Sequence, residues 1–200
     1  MIKINKKEPG FYSDYIAKIK PRTWFDVSKE IGNQSREYML DNEQHNQCAY
    51  TGKNIRQDNS HIDHFTKQEF IKQGLAATTL FDWDNLLASC NSEFYGAKFK
   101  DKNITYDDYK NLINPVVDNP SDFFEYSFTG MIIPQNNNLK ALKTIELFNL
   151  NDYELIKERK AIAMQVKSIY NQFDIDEIVE IIGKFEGFIR HIYKDLVEMN

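Results

Sequence analysis

Between Asn46 and Lys102 no long helical period persists, whereas both flanks carry one. Apolar residues spaced at i, i+3 and i+4 commit a segment to a helix that buries one stripe. Short apolar pieces broken by polar turns commit it to small strands and loops instead. "CAY", "NLLASC" and "FYGAKF" are of the second kind, so the middle of the chain predicts small strands and loops followed by a short helix. Upstream, Trp24, Phe25, Val27 and Ile31, followed by "SREYMLDNEQ" with Ser35 as candidate N-cap, predict helix from Pro21 to about Gln44. Downstream, the two prolines of "NPVVDNPSDFF" mark an extended stretch, and "FEYSFTGMIIP" reads as a short hairpin or strand. Asn151 and Glu154 form a capping-box pattern, and a further helix starting near Asp174 carries Ile178, Ile181, Ile182, Phe185, Ile189 and Ile192 on one stripe. The expectation is one α+β domain over residues 1–200, with a helical segment 1–44, a central unit 45–103 and a helical part 104–200.

Composition narrows the function classes. A hydrophobic share of 42% and an aromatic share of 14% suit a folded chain with a real core. No apolar run reaches the roughly 20 residues that span a bilayer, and the basic N-terminus has no apolar stretch behind it, so a cytoplasmic protein with no membrane partner is expected. Two cysteines, Cys48 and Cys90, give no disulfide framework. A net charge of -5 leaves nucleic-acid contact to a local basic patch.

The chemistry concentrates in "HIDHF", residues 61 to 65, which holds half of the four histidines. A one-metal nuclease needs a hard oxygen ligand for its cation, a neutral imidazole to deprotonate water, and a group to orient that imidazole. Asp63 and His64 supply the first two types, although adjacent strand residues point to opposite faces unless the backbone bends. Asn85 in "WDNLLASC" and Asn91 beyond it offer amide oxygens for orientation or ligation, and Asn85 serves equally as a helix cap or turn residue. Lys98, Lys100 and Lys102 form either a phosphate-facing patch or an ordinary solvated face. His61 is either a supporting group behind the site or a plain strand histidine.

In order and spacing, "CAYTGKNI", "HIDHF" and "WDNLLASCNSEFYGAK" resemble the His-Asn-His (HNH) nucleases. "YMLDNEQHNQCAYTGKNI", "NPVVDNPSDFFEYSFTGMIIP" and "ALKTIELFNLNDYELIKER" narrow the resemblance to the PtuB family, the HNH effectors of retron and Septu anti-phage systems. The likeness spans roughly residues 20 to 160. It implies a mainly helical α+β fold around a ββα-metal finger, and a metal-dependent endonuclease cutting nucleic acid, DNA in preference to RNA. It also implies a PtuA-like ATPase partner, with the retron reverse transcriptase and its RNA/DNA hybrid as further partners.

Two departures shape what carries over. Thr51 and Glu93 stand where the second cysteines of two zinc knuckles would fall, so the knuckles are incomplete and no structural zinc is expected. Cys48 and Cys90 then become small core residues. The third catalytic position falls on Phe94 if knuckle spacing is kept and on Asn91 if the loop is shorter, with Glu93 as a second candidate ligand. By resemblance His64 is the general base, Asp63 and Asn91 bind Mg²⁺ or Mn²⁺, Asn85 orients His64 or joins the metal shell, Lys98 and Lys100 contact phosphate, and His61 supports the ligands. The competing expectation is a catalytically silent HNH-like module used for interaction or nucleic-acid binding.

Overall fold

A computed structural model describes residues 1–199 and shows an α+β chain, mainly helical, with two small antiparallel sheets. Helix α1 (Gly10–Ile19) and α2 (Lys29–Asn42) precede a hairpin of β1 (Ser60–His64) and β2 (Leu86–Cys90), whose long connection carries α3 (Gln68–Lys72). Helix α4 (Ala97–Asn103) follows, completing a β-β-α unit. A second hairpin, β3 (Phe124–Tyr126) with β4 (Ile132–Pro134), leads into α5 (Leu139–Leu147), α6 (Tyr153–Ile169), α7 (Ile175–Ile182) and α8 (Glu186–Glu198). One buried cluster runs from Met1 through every residue of β2 except Ser89 to Leu196. No helix among the described residues is long and apolar enough to cross a membrane.

Strand β2, within "NLLASC", and the second hairpin lie where the sequence places them, while "CAY" runs into a turn and the strand paired with β2 is "SHIDH" instead; three helix boundaries also differ. Helix α2 starts at Lys29, because Ser28 accepts from the Ile31 N–H at 3.3 Å, and Ser35 is buried inside the helix instead of capping it. The N-cap of α6 is Asp152, whose carboxylate accepts from the Glu154 N–H. Asn151 is drawn away because its amide pairs with both backbone groups of Ile132, each at 2.9 Å, locking β4 to the start of α6. The expected single helix from Asp174 is two. Asp174 and Glu177 form a reciprocal capping box, but Gly183 (φ +65°) and Phe185 (φ +56°) end α7 and turn the chain before α8. Ile181 is consequently exposed, while Ile189 and Ile192 are buried.

Gly130, in the β3–β4 turn, has φ +90°, and a Cβ there would lie 2.3 Å from the Ile156 carbonyl oxygen in α6. Its own carbonyl accepts from buried Arg159. Gly130→Ala should therefore cost more than about 2 kcal/mol through backbone strain and the forced retreat of α6. Urea unfolding checks this, and a loss under about 0.5 kcal/mol would contradict the close approach.

Candidate functional site

Five residue pairs set the β1–β2 register, among them His61 opposite Ser89, Asp63 opposite Leu87 and His64 opposite Leu86. Gln44, just after α2, secures the outer edge of β2: its amide accepts from the Ala88 N–H and donates to the Ala88 carbonyl, both at 2.9 Å. Glu43 beside it accepts from the Trp83 indole and pairs with Lys6. The hairpin is thus clamped by buried polar side chains whose partners are all present, which is what makes them affordable inside a core.

The strand stays regular through His64, so Asp63 and His64 diverge as alternation requires. Asp63 is 4% exposed and points to α4. Its Oδ2 accepts from the Tyr50 hydroxyl at 2.5 Å and from the Lys100 ammonium at 3.1 Å. Lys100 is wholly buried and donates also to the carbonyls of His64 (3.1 Å) and Phe65 (2.9 Å), with Asp101 Oδ1 at 3.2 Å. Burial alone would push this ammonium down, but the Asp63 and Asp101 carboxylates outweigh it and the net displacement is upward. Burial, reinforced by Asp63, likewise pushes the Tyr50 phenol well up, so it stays a donor. Lys100, expected on the surface as a phosphate contact, is instead an internal cation in a cage of oxygens.

His64 faces the other side and is equally enclosed. Its Nε2–H donates to the Leu80 carbonyl at 2.9 Å, Nδ1 accepts a longer contact from the Gln68 amide at 3.3 Å, and the Trp24 ring packs against it edge-on at 4.9 Å. Burial holds its pKa below the ordinary value of 6.5. The unfolded chain therefore takes up a proton near pH 6.5 that the folded chain refuses. This contribution to stability is full above that pH and is lost as pH falls toward the lower folded value. Thermal melting from about pH 8 to about pH 5 should decline from near 6.5, and less steeply in His64→Gln. An identical profile in the variant would contradict a sealed, neutral His64.

The other expected residues separate. Asn85 does not reach the His64 ring; its side chain accepts from the Thr66 N–H at 2.8 Å and its carbonyl from the Phe65 N–H at 2.8 Å, which fixes the backbone just beyond His64. Lys98 and Lys102 both pair with Glu93, at 3.0 and 2.7 Å, and pull its carboxyl down to about 2. Glu93 is therefore held by two ammonium groups, and Phe94 is 72% exposed. Cys48 and Cys90 are buried with sulfurs 3.7 Å apart.

Asn91 turns not to Asp63 but to His61: the imidazole Nδ1 donates to the Asn91 Oδ1 at 2.9 Å in an open position. His61 lines a groove of about 260 Å³ with Trp24, Lys29, Asn33 and Arg36, between the start of α2 and β1. Arg36 ties the two together through the Ser60 carbonyl (2.6 Å) and Gln57 (2.6 Å). Sequence reasoning missed Tyr50, Gln68, Trp24 and Arg36, none of which carries a local motif; only their distant partners give them a role.

The expected Asp63–Asn91 ligand set does not fit a divalent ion. One Asp63 oxygen already serves an ammonium and a phenol, the neighbouring carbonyls serve the same ammonium, and Asn91 is bound elsewhere. Among the described residues no three His, Cys, Asp or Glu side chains converge as a metal cage. Set against known proteins, the chain matches no family model and no curated protein.

Proposed function

We propose that the chain is a nucleic-acid endonuclease built on the β1–β2–α4 unit, with His61 as its general base. What supports this most directly is the His61–Asn91 hydrogen bond at the open end of the hairpin. Because the Asn91 oxygen accepts, the proton of neutral His61 sits on Nδ1 and the lone pair is left on Nε2. That lone pair can take a proton from a water attacking phosphorus as the P–O ester bond breaks. The Lys29 and Arg36 charges in the groove balance the phosphate, and the Trp24 face offers stacking to an unpaired base. The resemblance to PtuB effectors extends the proposal to phage defence beside a PtuA-like ATPase. The test is cleavage of plasmid DNA, single-stranded DNA and total RNA by the purified chain, with Mg²⁺, with Mn²⁺ and with EDTA, and again with the partner ATPase. Cutting of any substrate that is lost in His61→Ala supports the reading, and no cutting under any condition rejects it.

A second reading, a silent HNH-like module, draws on the same interior: Lys100 seals Asp63, and Glu93 engages both remaining lysines of the expected patch. Substrate binding without cleavage, in the presence of the ATPase, would favour it.

A further inference from the structure

Far along the chain from the hairpin, a cavity of about 490 Å³ opens between the first residues, the start of β3 and α8. We propose that it binds a small organic anion, a phosphate or carboxylate carried on an aromatic body, and that this site is separate from the His61 groove.

The volume lies within the roughly 300–1,000 Å³ of small-molecule pockets. Phe124 and Tyr126, 2% and 7% exposed, are among its buried apolar lining residues and present aromatic surface. The charge distribution is the second observation. In a protein of net charge -5, this lining holds Lys3, Arg190 and Lys194, with His45 and His191, and one acid, Glu186. Outside the lining Arg190 also pairs with Asp176 at 2.9 Å, Lys3 donates to the Val116 and Val117 carbonyls, and His191 lies 3.6 Å from Asp195. Glu186 is itself spent, accepting from Arg190 Nε at 2.8 Å and lying 2.8 Å from His45 Nδ1. Among the described residues the Lys194 ammonium has one ion pair, a long contact to Glu198 at 3.7 Å on the exposed side of α8.

A third observation lies behind the wall. Arg159 is 1% exposed and forms no ion pair among the described residues; it donates to the carbonyls of Gly130 and Leu150, and its Nη1 has no hydrogen-bond partner. Apolar floor and basic rim together favour an anion with a flat apolar part over a bare ion or a neutral ring.

AMP is the probe, with adenosine and inorganic phosphate as its two halves, measured by calorimetry on the full chain. AMP should bind at least about tenfold more tightly than either half, because both the apolar and the anionic contacts contribute. Lys194→Ala, an exposed helix position that spares the fold, should weaken AMP at least about threefold, and Ser121→Trp, which fills the mouth, should abolish binding. Lys29→Ala, in the His61 groove, should leave it unchanged. No detectable heat with millimolar AMP, or affinity that falls with Lys29→Ala and not with Lys194→Ala, would overturn the proposal.

Discussion

Lys100→Met should lower the unfolding free energy by about 3–5 kcal/mol, a large share of the roughly 5–15 kcal/mol that holds a domain together. The substitution keeps the volume of the stem but removes the ammonium that four oxygens face. Asp63 is left with the Tyr50 hydroxyl alone, and the carbonyls of His64 and Phe65 lose their donor inside the core. The cost arises from those stranded groups more than from the lost attraction, since removing one member of a buried pair is far worse than removing both. Lys100→Met combined with Asp63→Leu should therefore recover part of the loss. Urea unfolding of the two single variants and the double variant measures the coupling. A change within about 0.5 kcal/mol for Lys100→Met would place the side chain on the surface after all.

His61→Ala should reduce cleavage by about 10²–10⁴-fold, the usual contribution of a positioned general base. Asn91→Ala leaves the imidazole in place but frees its orientation and tautomer, so a smaller loss, on the order of tenfold, is expected. Neither residue holds the core: His61 is half-buried at the strand end and Asn91 is exposed, so both variants should melt within a few degrees of the parent. Equal losses in the two variants with a collapsed melting temperature would mean that the pair only fastens β1 to the chain after β2.

Much of the architecture was legible because it rests on local pattern. The pieces "NLLASC" and "FEYSFTGMIIP" marked β2 and the second hairpin, and all five residues from Leu86 to Cys90 are buried, whereas "CAY" runs into a turn and β1 is the polar "SHIDH", which no apolar piece marked. Helix ends were harder, since two oxygens a few residues apart compete to cap: Ser28 displaced Ser35, and Asp152 displaced Asn151 once Ile132 had engaged it. The break between α7 and α8 is set by two left-handed residues that leave the apolar period intact, so periodicity alone runs through it. The site was legible as a set of residue types but not as a geometry. Asp63 and Lys100 are 37 positions apart, and whether a lysine faces solvent or a carboxylate depends on how α4 lies against β1. The same holds for His61 and Asn91, 30 positions apart and joined only through strand register.

The most direct test compares initial cleavage rates of His61→Ala and His64→Gln on one substrate, each normalised to its folded fraction. His61 as base predicts near-complete loss in the first and a rate within about threefold of the parent in the second, whose glutamine can still donate to the Leu80 carbonyl. Loss confined to His64→Gln, with His61→Ala fully active, would contradict it and return the base to the enclosed side of β1.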